Sequence, residues 1–234
     1  MGMAPAGHSL YILNMRSNSR LSGQRVESFI EKARRKQIVD TAIRTIASRG
    51  YSQTSLAEIA REAGISKGVI SYHFEGKGDL IEEILAQLMH EPAEYIKKRV
   101  DSRGEAADKV RAYIAANFEF AKSHRNHLLA LVDLWGSRDS SEGRNRFDSE
   151  AYGPSRRYLS RILETGQERG ELGSVPAKTM ASVIQAAIDG VLLQWAFDPD
   201  AVDLDACRDE IQEMITGHIA RSGATDGRRD ALGS

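Results

Sequence analysis

From Glu31 onward, apolar residues recur every three or four positions, the period of a helix with one buried face. No stretch alternates apolar and polar residues as a half-buried strand does, and no internal repeat is visible. The spacing predicts a first helix over Glu31–Ser48, with Ile38, Ala42, Thr45 and Ile46 inward and Gly50 as a left-handed stop. Two short helices follow within Ser55–Phe74. A long helix is expected from Leu80 to about Val100, kinked or split at Pro92, because proline lacks the N–H and crowds the preceding turn. Further helices are expected over Glu105–Ser123, Asn126–Trp135, Ser149–Gly170, Pro176–Phe197 and Leu204–Ala220. Gly136–Asp148 reads as a polar loop, and Gly153-Pro154 as an irregularity in the helix around it. The chain is therefore expected to be all-α, with a three-helix N-terminal head and a helical C-terminal bundle.

The head carries the sharpest local pattern, SLAEIAREAGISKGVISYHF over Ser55–Phe74. Ser55 and Glu58 stand at the spacing of a capping box, and Leu56, Ile59 and Ala60 form one apolar side. Gly64 sits where a tight turn excludes a β-carbon, and Ile65 turns inward behind it. Ser66 is placed to cap a second helix anchored by Ile70 and Phe74. Lys67, Gly68, Ser71, Tyr72 and His73 are left outside, residues of the kind that meet phosphates and base edges, with one glycine that lets a backbone come close. Together these features describe a helix-turn-helix whose second helix enters the major groove.

The stretch from about Arg34 to Leu85 resembles the DNA-binding domain of the TetR family of bacterial transcription regulators. The motifs that carry the resemblance are RRKQIVDTAIRTIASRGY, TSLAEIAREAGISKGVISYHF and GKGDLI. One departure is Ser71, where many members carry an aromatic residue. The resemblance implies a homodimer that reads a palindromic double-stranded DNA operator. Thr54, Ser55, Lys67, Tyr72, His73 and Lys77 are expected on the sugar-phosphate backbone, and Ser66, Lys67, Gly68 and Ser71 near the bases. Lys77 also stands at the start of the long helix, where free N–H groups favour an anion. Arg16, Arg20 and Arg25 lie in a segment rich in Ser, Gly and Asn, and a basic arm of this kind can reach DNA. The expected divisions are an extension over 1–30, the head over 31–79, a ligand-binding and dimerisation body over 80–222, and a tail over 223–234.

In the body, Met180, Val183, Ile184, Ala187, Ile188, Val191, Leu192 and Trp195 nearly encircle the helix 177–197. Such a helix needs more partners than one core face supplies, and Ala187 and Gly190 permit a close crossing. The resemblance implies dimerisation through this helix and 204–220, and a cavity for a small-molecule effector of unknown identity. Phe118, His127, Leu131, Trp135, Tyr152, Tyr158, Gln185, Asp189 and Trp195 are the candidate lining residues. Gln185 and Asp189, four apart on one helix, face the same way, and a buried aspartate requires a partner. The two tryptophans offer faces to a cation.

Charge agrees with this division of labour. The net charge is −1, yet the first 80 residues hold twelve Lys and Arg against seven Asp and Glu, and the rest hold twenty against twenty-six. A basic head on an acidic body suits a DNA reader. The single cysteine, Cys207, excludes an internal disulfide and a cysteine-based zinc site. No apolar run of membrane-spanning length is read, and a cytoplasmic, nucleoid-associated place is expected. None of the six histidines lies in an HExxH arrangement, and no GxGxxG, GxxxxGK[ST] or GxSxG occurs. His124 and His127 have a spacing that can share a metal, but no carboxylate flanks them closely. No cofactor, metal or catalytic residue is therefore assigned. The competing class is an architectural or activating DNA-binding protein without small-molecule control.

Overall fold

A computed structural model describes the backbone of residues 28–136 and 141–221, and the side chains of these except 141–151 and 221. The basic arm with Arg16, Arg20 and Arg25 and the tail over 223–234 lie outside the described residues.

Among the described residues the chain forms nine helices and no strand. They are α1 (Phe29–Arg49), α2 (Leu56–Glu62), α3 (Lys67–His73), α4 (Lys77–Asp101), α5 (Ala106–Ser123), α6 (Arg125–Gly136), α7 (Ser141–Glu168), α8 (Ala177–Phe197) and α9 (Leu204–Arg221). Helix α1 starts two residues earlier than its apolar stripe indicates. Ser28 caps it, accepting from the Glu31 N–H at 3.2 Å, while the Glu31 carboxylate accepts from the Ser28 N–H at 2.8 Å. This is a reciprocal capping box. At Ser55 only half of that motif forms: Ser55 accepts from the Glu58 N–H at 3.2 Å, but the Glu58 carboxylate turns to Arg49 and Arg61. Strongly attractive guanidinium groups win Glu58 away from a backbone N–H.

Cations at the start of a helix oppose its dipole, and Arg35 and Lys36 in α1 offset this with internal partners. Arg35 donates to the His73 carbonyl at 2.6 Å and pairs with Glu83 at 3.1 Å, and its guanidinium lies 4.5 Å from the Phe74 ring centre. Lys36 pairs with Asp40 at 3.1 Å and Glu91 at 3.0 Å. These side chains fasten α1 to α3 and α4.

Two apolar cores form. The head core gathers Ile38, Val39, Ala42, Ile43 and Ile46 of α1 around Ile59, Ala60, Ile70 and Phe74. It also takes in Leu80, Ile81, Ile84 and Leu88 of α4 and Ala130 and Leu134 of α6, so its packing extends past residue 79. The body core is built from α4's far end, α5, α7, α8 and α9, with Phe118, Ile114, Leu159, Leu163, Ile184 and Ile188 among its buried residues. Helix α4 thus serves both cores, with Leu88 in one and Ile96 in the other. It runs unbroken through Pro92, which falls between these anchors. One i→i−4 bond is lost there, and packing on both sides holds the helix together.

Helix α7 begins at Ser141, so residues 141–148 are helical where a loop was expected; residues 137–140 lie outside the described residues. The segment SEGRNRFD has one aromatic residue and no apolar stripe, which is why periodicity missed it. Pro154 also lies inside this helix.

Helix α8 corrects another expectation: it is long and apolar enough, by length and composition alone, to cross a membrane. Its Met180, Ala181, Ile184, Ile188, Leu192 and Ala196 are instead buried in the protein. The Lys178 and Asp189 charges interrupt the apolar positions, which made the run look shorter in the sequence.

Gly64 adopts φ +65°, and an added Cβ meets nothing within 4 Å. The need for glycine is therefore one of backbone conformation. Gly64→Ala is expected to cost about 1 kcal/mol and to lower Tm by about 2–4 °C, measurable by thermal unfolding. No shift would show that the turn relaxes to a conformation open to alanine.

Candidate nucleic-acid interface

The turn between α1 and α2 and the starts of α3 and α4 converge on one open depression of ≈ 350 Å³. It is lined by Ser52, Gln53, Thr54, Ser55, Leu56, Ala57, Lys67 and Lys77. Three helix N-termini face this region, and their unpaired N–H groups favour an anion. Lys67 is exposed and forms no ion pair among the described residues. Lys77 is half-buried; its ammonium donates to the Tyr51 carbonyl at 3.0 Å and lies 3.9 Å from the Tyr51 ring centre. Burial holds the Lys77 ammonium below the usual lysine pKa.

The structure brings Thr54, Ser55, Lys67 and Lys77 together here, but it gives Thr54 a different part from the one expected. Thr54 is 2% exposed, and its hydroxyl donates to the Gly50 carbonyl at 2.8 Å. It shapes the turn and does not offer its hydroxyl to a phosphate. Ser52 and Gln53, absent from the sequence-based set, are exposed on the rim. Their position directly before the Ser55 cap was the available signal.

Ser66, Gly68, Ser71 and Tyr72 lie exposed along α3. The Ser66 hydroxyl makes no capping bond, so it remains available to another partner. A Cβ on Gly68 meets only the Ser66 hydroxyl oxygen, at 3.6 Å, so folding does not require glycine there. Tyr72 is 65% exposed and donates to Glu31 at 3.1 Å. His73 is half-buried, edge-on to Tyr72 with ring centres 5.0 Å apart. Ile70 and Phe74, at 0% and 2% exposure, fix α3 so that this polar side faces out.

The candidate effector residues separate into groups. Gln185 donates to the Asp189 carboxylate at 2.8 Å and accepts from the buried Tyr113 hydroxyl at 2.6 Å. Trp135 and Tyr152 stack with ring centres 5.7 Å apart, and Tyr152 also hydrogen-bonds Asp189. Burial raises the Asp189 pKa to about 6, against the two neutral hydrogen bonds from Gln185 and Tyr152. Tyr158 packs 6.5 Å from Tyr113, ring centre to ring centre, and donates to Asp101 at 2.8 Å. Burial is also the main cause raising the pKa of Tyr113 and Tyr158. Tyr113 was not singled out in the sequence, because a tyrosine at a core position of an amphipathic helix looks like packing alone.

The remaining candidates lie elsewhere. Phe118 is 1% exposed within the body core. His127 meets Glu91 at 3.1 Å, and burial lowers its pKa despite that carboxylate. Leu131 packs against the head core. Trp195 packs on the body core, with the Arg125 guanidinium 5.9 Å from its ring centre. His124 and His127 contact each other edge-on, but His124 Nδ1 is 3.0 Å from the Phe120 carbonyl and His127 Nε2 is on Glu91.

Comparison with known proteins agrees with this geometry. Residues 38–84 match the family model of bacterial regulatory proteins, tetR family, and residues 106–221 match that of the BetI-type transcriptional repressor, C-terminal. The HTH-type transcriptional regulator BetI of Cronobacter sakazakii is 26% identical over 193 residues, 82% of this chain and 93% of that protein. BetI of Escherichia coli is 26% identical over 192 residues, 81% of this chain and 96% of its own length. These relatives are HTH-type transcriptional regulators. Among solved structures, the fatty acid degradation regulator FadR from Bacillus halodurans superposes with a TM-score of 0.70 at 21% identity, covering 79% of this chain and 95% of that one. A transcriptional regulator from Saccharomonospora viridis in complex with choline gives 0.69 at 24% identity, with 79% and 96% covered. FadR from Bacillus subtilis in complex with stearoyl-CoA gives 0.68 at 23%, with 77% and 97% covered. With the helix-turn-helix in its head and the matching helical body behind it, the chain belongs to the tetR family of DNA-binding transcriptional regulators.

Proposed function

We propose that this protein is a repressor that binds a palindromic operator as a homodimer and is released by a small cationic effector. The observation that carries the DNA half is the depression at the converging starts of α2, α3 and α4, with Lys67 and Lys77 on its wall. Phosphates seat in it, with Ser55 and Lys77 on the backbone, while Ser66, Lys67, Gly68 and Ser71 on α3 approach base edges in the major groove. Tyr72 and His73 flank them on the phosphate side. Ser71 presents a short hydroxyl, which gives the operator preference its own character.

Lys77→Ala is expected to weaken binding to every duplex alike and to reduce the salt dependence by about one phosphate charge per head. Fluorescence anisotropy across a salt series reads this directly. A changed sequence preference with an unchanged slope would place Lys77 on a base and not on a phosphate.

Dimerisation is supported by the outer face of α8. Val183, Leu193 and Phe197 are 49%, 41% and 65% exposed, and with Gly190 they fall on one side of the helix. A Cβ on Gly190 meets nothing within 4 Å in the single chain. Met214 of α9 adds a further apolar side chain, 52% exposed. A second copy crossing closely at Gly190 accounts for both the apolar face and the glycine. Two heads held at a fixed separation then read two half-sites in successive major grooves.

The effector is a small cation because the body holds an acid among neutral partners beside aromatic rings. A cation beside Asp189 replaces lost solvation with ion pairing, and the stacked pair of Trp135 and Tyr152, with the Arg156 guanidinium already 5.9 Å from the Tyr152 ring centre, is an aromatic surface of the kind that draws cations. The choline found in the Saccharomonospora viridis regulator is of this chemistry. The stearoyl-CoA of the Bacillus subtilis regulator carries the opposite charge, which Asp189 opposes. The effector acts through its differential affinity for the operator-bound and released states. Titrating choline and related quaternary amines against the protein–operator complex tests this: release is expected with the cations and not with acyl-CoA. The protein acts in the cytoplasm, where its DNA lies.

A further inference from the structure

Helix α6 comes after α4 and α5 in the chain, yet it is built into the head. Ala130 and Leu134 are buried in the head core at 0% and 2% exposure, and Leu131 packs against it. At the other end, Arg125 donates twice to the Ala196 carbonyl of α8, at 3.1 and 2.6 Å. Helix α6 is thus a strut between α8 and the head.

Where the strut meets the head, it does so through a carboxylate. The Tyr51 N–H donates to Asp133 Oδ2, and the position a Cβ would take on Gly50 is 3.6 Å from Asp133 Oδ1. Tyr51 in turn holds Lys77, with its carbonyl 3.0 Å from the ammonium and its ring centre 3.9 Å away. Asp133 therefore grips one side of the Tyr51 backbone while Lys77 is held on the other. Two residues further along α6, Trp135 stacks on Tyr152, which hydrogen-bonds Asp189. The same short helix end touches the effector candidates and the turn that holds Lys77.

We propose that Asp133 is a positioning residue for operator binding: through Tyr51 it sets Lys77 at the phosphate depression, so that movement of α6 changes DNA affinity at this point. The inference rests on the reading of Lys77 as a phosphate contact. It specifies a local route into the head, distinct from a change in the separation of the two heads. Gly50, with φ +85°, holds the turn beside the carboxylate in a backbone conformation that L side chains rarely adopt.

The test is a double-mutant cycle on the full-length protein with an operator duplex, read as affinity and as salt dependence. Asp133→Leu keeps the side-chain size but accepts no hydrogen bond. It is expected to weaken binding about tenfold and to lower the salt dependence, as Lys77→Ala does. In a Lys77→Ala background the same change is expected to have less than about a twofold further effect. Asp133→Asn still accepts from the Tyr51 N–H and is expected to stay within about twofold of the unaltered protein. Should Asp133→Leu fail to fold, Asp133→Ser, too short to reach Tyr51, takes its place in the cycle. Multiplicative losses from Asp133 and Lys77, or an Asp133 loss with unchanged salt dependence, overturn the proposal while leaving Lys77 as a phosphate contact. A Lys77→Ala protein with unaltered salt dependence overturns the phosphate reading and this proposal with it.

Discussion

Placing glutamate at Val183 and Leu193 is expected to give a folded monomer whose operator affinity is lower by about two to four orders of magnitude. Both side chains stand on the exposed side of α8, on either side of Gly190, at 49% and 41% exposure. Neither is needed by the body core, and glutamate is a better helix former than valine, so the fold tolerates the change. In a dimer the same positions lie at a closely packed helix crossing. Two carboxylates from each subunit would then be buried without partners, which opposes association strongly. The loss in DNA binding follows without any change in the head. Once one head is bound, the second is held near its half-site at high effective concentration, and a monomer forfeits that gain. Sedimentation and anisotropy, with circular dichroism as the check on folding, measure the two effects. A variant that remains dimeric, or a monomer that keeps full affinity, would refute the assignment of this face.

Asp189→Asn is expected to make a protein that is more stable and no longer responds to cations. Asp189 has its pKa raised to about 6 from an ordinary value of 3.8. Between these values the folded state binds more protons than the unfolded one, so this group's contribution to stability grows as pH falls from about 6 toward 4. Above pH 6 the buried carboxylate is ionised and costs about 1–3 kcal/mol, which the amide removes. The variant should therefore melt higher than the unaltered protein at pH 7.5, with the gap closing as pH falls to 4. Cation binding has its own pH dependence: protonation of Asp189 removes the charge, so affinity weakens as pH drops through about 6 in the absence of ligand. Thermal unfolding and titration calorimetry with choline across this range separate the two. Unchanged stability together with intact cation release would show that Asp189 is paired by other means and that the effector binds elsewhere.

Much of the head was legible because its determinants are local. Gly64, Ile70 and Phe74 each stand in the geometry their spacing implies, and Ser55 caps as placed. Thr54 misled because burial depends on the turn: its hydroxyl closes onto the Gly50 carbonyl, four residues back. Lys77 was assigned from its place at a helix start, but its hold on Tyr51, 26 residues earlier in the chain, is tertiary. The body was legible as helices, with Gln185 and Asp189 facing the same way one turn apart; that they bond to each other is a finding of the structure. Tyr113, 72 residues from Gln185, and Asp133, 82 residues from Tyr51, were not, because no periodicity encodes partners at such distance. His127 and Leu131 show the same limit: an apolar and aromatic stretch does not announce which of two cores it faces.

The most direct test of the central claim is selection of genomic fragments from the source organism by the purified protein at near-physiological salt, with and without choline in the wash. Enrichment of a two-fold symmetric sequence that is released by the cation is the result this account predicts. Binding that depends on salt but enriches no sequence, and that choline leaves unchanged, would contradict it.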